Sequence, residues 1–259
     1  MRKTLMVLAL LLFVLPLSAC NTSTLTNSTT NYSKTSRTDN SKRIIRRNRR
    51  IWQRQVAKAD VVHSDDFRGD YVFIATSMEQ LNNHSKAVVQ GTVYKLEKMN
   101  SPKNMAYTKA SIHVDKVISG DKTLKNQTIY VAMKGGLVSF DHWYANMSKP
   151  KDFDHEMLVK NEEFPLPSIG SKVITGLTPN HVDEPSDYNN SLKQSGFTIE
   201  NSYAIVVPQY DFWVKSPNSK KYVLNNPEMR KEKTRDDNLS KGLKKMTSEI
   251  NSEYNDTKK

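Results

Sequence analysis

The chain has 259 residues, 37% of them hydrophobic and 25% charged, enough for one barrel- or sandwich-sized domain with extensions and too much for a peptide hormone or a small stapled scaffold. Lys and Arg number 39 against 27 Asp and Glu, a formal charge of +12, and the mean hydropathy is −0.66. A large share of the chain therefore stays solvated, and a single cysteine excludes any disulfide within it.

Arg2 and Lys3 make a short basic head, an apolar run extends from Leu5 to Leu17, and small residues close it just before Cys20. This is the pattern of a signal peptide over residues 1–19, because a helix needs roughly 20 apolar residues to cross a bilayer and this run is shorter. Leu17-Ser18-Ala19-Cys20 resembles the bacterial lipobox. The resemblance implies that Cys20 becomes the first residue of the mature protein and carries diacylglycerol and palmitate, which would hold the chain on the extracytoplasmic face of the cell membrane. Two acyl chains suffice for stable anchoring. No other cofactor is expected. The alternative is an ordinary secretory peptide with a cysteine near its cleavage site.

Residues 20–58 read as a lipidated cysteine, a tether and a basic segment. From Asn21 to Ser33 every residue except Leu25 and Tyr32 is Asn, Ser or Thr, a composition expected to be disordered. Lys34 to Lys58 then holds ten basic residues and one acid, Asp39, so most of the positive surplus sits here and residues 59–259 are close to neutral. Ile44, Ile45, Ile51, Trp52 and Val56 fall at helical spacing. Two roles remain open for this segment. Arg43, Arg46, Arg47, Arg49 and Arg50 could lie on anionic lipid or wall polymer, or the apolar residues could pack on the body and leave a charged linker. A nucleic-acid partner is disfavoured by export.

A body over 59–227 comes next. Thr76-x-x-Glu79 has the form of a capping box and predicts a short helix to about Ser85, with Met78 and Leu81 on one side. Residues 87–94 are rich in β-formers, and Gly91 within them suggests a bulge or sharp bend. Thr108, Ala110, Ile112 and Val114 alternate with polar residues, as do Ile129, Val131 and Met133. Further strands are expected at 172–178, 202–208, 211–216 and 220–225. The intervals 137–170 and 179–201 read as loops or insertions, and as places for a site. In the final segment, 228–259, Leu239, Leu243, Met246, Ile250 and Tyr254 form one helical stripe, expected to dock on the body; Gly242 counts against that helix. The fold expected is mainly β with flanking helices, that is a small bent antiparallel β-barrel with a disordered N-terminal tether and a C-terminal amphipathic helix.

Ser85-x-Ala87-Val88-Val89-x-Gly91-Thr92-Val93, Ile112-x-Val114-x-Lys116-Val117-x-x-Gly120-Asp121 and Ile129-x-Val131 with Gly135-Gly136 resemble a group of exported Gram-positive lipoproteins of uncharacterised function. The similarity spans about residues 77–136 and implies a strongly bent barrel of the oligomer-binding type. It carries no catalytic residue, since the matched positions are glycines at bends and β-branched residues inside.

Chemistry is sparse. There is no Gly-x-Ser-x-Gly, no Ser-x-x-Lys and no phosphate-cradling glycine loop. Asp152, Asp154, Glu156 and Glu163 match positions one, three, five and twelve of a calcium loop, but Met157 stands where the turn needs glycine and Lys160 faces the ion. His142 beside Asp141 and His155 beside Glu156 are weaker metal candidates. Trp143, Tyr144 and Trp213 lie among Asp, Asn and Gln, as rings that stack on sugars or peptides do. The preferred function is a membrane-anchored binding module for an envelope or environmental ligand, without catalysis. The alternatives are an anchored wall hydrolase using Asp152, Asp154 or Glu156 as acid and base, or an inhibitor or immunity protein that binds a protein partner.

Overall fold

A computed structural model describes residues 29–64, 73–149, 152, 154–231 and 238–255. Cys20 and the signal segment lie outside them. The chain divides into a unit of residues 1–39 and a unit of residues 40–259, and every described strand belongs to the second. In chain order the elements are α1 (Thr29–Val56), β1 (Asp60–Ser64), α2 (Met78–Asn83), β2 (Ala87–Lys98), β3 (Tyr107–Gly120), β4 (Thr128–Lys134), β5 (Gly136–Ser139), α3 (Phe140–Trp143) and β6 (Glu156–Asn161). They continue with β7 (Lys172–Pro179), α4 (Asp187–Gln194), β8 (Ser202–Ile205), β9 (Phe212–Lys215), β10 (Val223–Leu224), α5 (Pro227–Lys231) and α6 (Asn238–Glu253).

Five strands close on themselves in the order β7-β2-β3-β4-β8, with β8 returning to β7. A ring of five cannot alternate direction all the way round, so one joint must be parallel. It is β4 with β8, and only two residue pairs make it, Tyr130 with Ser202 and Val131 with Tyr203. The remaining joints are antiparallel, as expected. β9 and β10 extend the sheet outward from β7.

The tight ring is possible because β2 bends. Its pairing with β3 shifts register at three places, one of them between Gln90 and Gly91. A Cβ on Gly91 would stand 2.7 Å from the His113 carbonyl oxygen, so only glycine lets the two strands approach there. Alternation then sorts the side chains. Val89, Val93, Ile112, Val131, Val173 and Leu177 fill the barrel, whereas Val88, Ile174 and Trp213 point the other way into a second core. Packing on both faces buries β2 without a break from Ala87 to Gly91.

That second core is covered by α2 and α6. Leu243, Met246 and Ile250 are buried in it and Leu239 and Tyr254 pack at its edge, so the stripe docks on the body as expected. Gly242 is the residue that allows this: a Cβ there would lie 2.5 Å from Thr76 Cβ and 2.9 Å from the Thr76 carbonyl oxygen. α2 is capped one residue later than the sequence pattern suggests. Ser77 Oγ accepts from Gln80 N at 3.2 Å, and Gln80 Oε1 reaches back to accept from Thr76 N at 2.8 Å. Ser77-x-x-Gln80 serves where Thr76-x-x-Glu79 was expected, so the capped donors are Gln80 N and Thr76 N.

Two expectations need correction. The interval 137–170 is not a loop: β5 and β6 pair, β1 adds to β6 in parallel, and the three make a separate sheet over Ala106, Val138, Met157 and Val159. Phe164 and Ile169 go on into the barrel core. The segment expected as tether also turns helical early, because α1 begins at Thr29; residues 21–28 lie outside the described part. Further along α1 the helix is docked. Ile45 and Trp52 pack against the barrel core, Asn48 Nδ2 donates to the Tyr94 carbonyl at 2.9 Å, and Arg49 donates through Nε and Nη2 to the Ile169 carbonyl at 2.9 and 2.8 Å.

Candidate functional site

Past the two-residue ladder of β4 and β8 the strands part, and a cavity of about 310 Å³ opens in the gap. Val131, Ala132 and Lys134 of β4 form one side; Ala204 and Ile205 of β8, then Pro208 and Gln209, form the other. Tyr107 opens β3 directly opposite Lys134 in register, and Tyr188 comes from the first turn of α4. The two tyrosine rings meet at 5.3 Å between centroids, tilted by 53°, as a continuous aromatic wall. Phe164 and Asn161 complete the lining.

Asn161 ends β6 and is 6% exposed. Its Oδ1 accepts from the backbone N of Glu163 at 2.8 Å and of Phe164 at 2.9 Å, which turns the chain out of the strand. That fixes the amide the other way round. Nδ2 is left without an acceptor among the described residues. A buried amide hydrogen without a partner is expensive, on the order of 1–3 kcal/mol.

Lys134 and Asn161 also line a second cavity of about 290 Å³, on the side of Trp52, Val56 and Leu166. Lys134 and Tyr107 line a third, of about 60 Å³, which holds Trp143. The three cavities thus meet at Lys134. Burial raises the phenol pKa of Tyr107 above its ordinary value, and that of Tyr188 further, with the neighbouring Tyr107 adding to it. Both hydroxyls therefore remain donors at neutral pH.

The other residues singled out in the sequence go elsewhere. Trp213 is a core residue, not a ligand platform: it is fully buried and its Nε1 donates to Thr247 Oγ1 at 2.9 Å. Tyr144 packs on Phe140 beside the small sheet with Lys149 Nζ 4.1 Å above its ring. The acidic residues do not wrap an ion. Glu156 opens an extended strand and pairs with Lys98 at 2.7 Å, and Asp152 Oδ2 lies 3.3 Å from His155 Nδ1. His155 Nε2 contacts Asp60, while His142 Nε2 is bonded to the Ser101 carbonyl. Asp154 and Glu163 join no such set, and among the described residues no three His, Cys, Asp or Glu gather to hold a metal. The strand geometry of 156–161 pulls the calcium-loop positions apart. Arg43, Arg46, Arg47 and Arg50 are exposed on α1, but Arg49 is spent on Ile169 and leaves the set of surface contacts.

Sequence reasoning missed Asn161 and Lys134, which belong to no motif; Gln209 stands among the polar residues beside Tyr210 and Trp213 that it did note. Tyr188 and Asn161 nevertheless fall in the two intervals marked as places for a site. No family model, curated protein or solved structure matches the chain.

Proposed function

We propose that the protein is a lipid-anchored extracytoplasmic binding module, tethered through Cys20, whose barrel mouth receives a ligand without chemistry. Its support is the lipobox-like quartet at Leu17–Cys20 and above all the mouth. The observation that carries it is the cavity of about 310 Å³ between β4 and β8, walled on one side by the paired rings of Tyr107 and Tyr188. The ring also follows the Greek-key order of an oligomer-binding barrel, a scaffold whose open face and flanking loops bind chain-like ligands. Fold alone argues for no particular ligand. The exposed arginines Arg43, Arg46, Arg47 and Arg50 then serve as contacts to anionic lipid or wall polymer, at about 1 kcal/mol each when well placed.

The test is a thermal melt of the full chain carrying Cys20→Ala, with and without a soluble enzymatic digest of bacterial cell wall. Ligand at a hundred times its dissociation constant adds about 2.7 kcal/mol, or roughly 5–10 °C in a body of this size. No shift with the digest removes the envelope-binding reading.

A further inference from the structure

From Asn40 onward α1 has two faces of opposite use. The inner one is fixed to the body: Ile45 and Trp52 pack against the barrel core, Asn48 Nδ2 donates to the Tyr94 carbonyl, and Arg49 donates to the Ile169 carbonyl. Gly170, with φ +91°, follows that carbonyl, and a Cβ on it would stand 2.5 Å from Arg49 Nη2, so the chain there is shaped to admit the guanidinium. Held at residues i, i+3, i+4 and i+7, the helix cannot roll, and its other face stays outward.

That outer face is of one sign. At about 100° per residue, Arg43, Arg47, Arg50, Arg54 and Lys58 fall within about 80° of one another on the side away from Ile45 and Trp52, and all are exposed. No acid stands between Asp39 and Asp60 to offset them. Ile51 and Ile44, 44% and 38% exposed, continue the same arc. Exposed isoleucines beside a row of bases suit a membrane interface, where the charges meet anionic headgroups and the apolar side chains reach the acyl boundary. A wall polymer gives the bases a partner and the isoleucines none.

We infer that the outer face of α1 lies on an anionic phospholipid surface, with Ile44 and Ile51 at the acyl boundary. This rests on the reading of the protein as anchored through Cys20 and adds a fixed pose to it. Cys20 stands nine residues before Thr29, a stretch that spans at most about 30 Å, so acyl chains on it keep α1 beside the bilayer at high effective concentration. The docked inner face then passes the orientation of the helix to the barrel.

The experiment is vesicle cosedimentation of the full chain carrying Cys20→Ala, so that no acyl chain contributes. The probes are phosphatidylcholine vesicles, the same vesicles mixed with phosphatidylglycerol, and soluble polyglycerol phosphate as a wall polymer without a lipid phase. Residues 1–19 are common to every variant, so differences between variants read the helix. Expected is binding to the anionic vesicles at least about tenfold tighter than to the neutral ones. Replacing Arg43, Arg47 and Arg50 together by Gln should weaken the anionic binding by at least about thirtyfold and leave the neutral binding in place. Ile44→Gln with Ile51→Gln should weaken vesicle binding by about tenfold and leave binding to polyglycerol phosphate unchanged. If the arginine variant does not fold, salt at about 0.5 M screens the same charges in the Cys20→Ala chain and gives the same direction. Equal binding to both vesicles, or anionic binding that the arginine variant leaves unaltered, overturns the inference. Vesicle binding that the isoleucine variant leaves unaltered overturns it too, and displacement from the vesicles by polyglycerol phosphate would then assign the arginine face to wall polymer. None of these failures touches the mouth or the acyl anchor, which the wall-digest melt and membrane fractionation of Cys20→Ala read separately.

Discussion

Asp211 is a carboxylate in the wrong place for a stable fold at neutral pH. It immediately precedes β9, is 1% exposed, and its Oδ1 has no partner among the described residues. Burial raises its pKa from 3.8 to about 7, against the opposing effect of a backbone hydrogen bond from Val207. In the unfolded chain the group ionises above about 3.8, whereas in the fold it holds its proton until about 7. The native state therefore binds more protons across that window, and stability falls as pH rises through it. At about 1.4 kcal/mol per unit the full penalty is about 4 kcal/mol, an upper figure because water and local relaxation soften the burial of a charge. Asp211→Asn keeps the shape and removes the ionisation. Relative to the wild type, the variant should gain about 2–3 kcal/mol more at pH 8 than at pH 5, read from urea unfolding at the two pH values. An equal difference at both would show that Asp211 titrates normally in the fold and would refute the reasoning.

Two further outcomes concern the packing and the address. Gly242→Ala ordinarily strengthens a helix by about 1 kcal/mol, but here the added methyl meets Thr76, so a net loss of about 1–3 kcal/mol is expected in chemical unfolding; a gain would mean that α6 sits further from Thr76 than these contacts require. Cys20→Ala should move the protein from the membrane fraction into the medium. Retention would assign the anchoring to the basic helix or to an uncleaved signal.

Periodicity made much of the fold legible in the sequence. β3 and β4 each present one face to the barrel core, and period two marks them plainly. The α6 stripe is equally regular, and the apparent fault at Gly242 proved to be a close approach to Thr76 that no single sequence can display. The small sheet escaped for a different reason. β1 and β6 are paired across almost a hundred residues, and Glu156–Asn161 stands among prolines and acids that read as loop. Its alternation is there, with Met157, Val159 and Asn161 buried, but six residues are too few to outweigh their neighbours. The mouth was illegible in kind rather than degree. Asn161 matters because its two caps orient it, and Lys134 because three cavities converge on it, and both are tertiary facts.

The two rungs that join β4 to β8 give the ring a weak link, and that link borders the mouth. Native-state openings begin at the least-paired joint, so amides of β8 should exchange with solvent well before those of β2 and β3. A ligand held at once by Lys134 on one side and by Pro208 and Gln209 on the other would span this joint from outside. Occupancy would then be recorded as slowed exchange confined to Ser202–Ile205 and its partners in β4, a signature of bridging that no mere surface adhesion could leave.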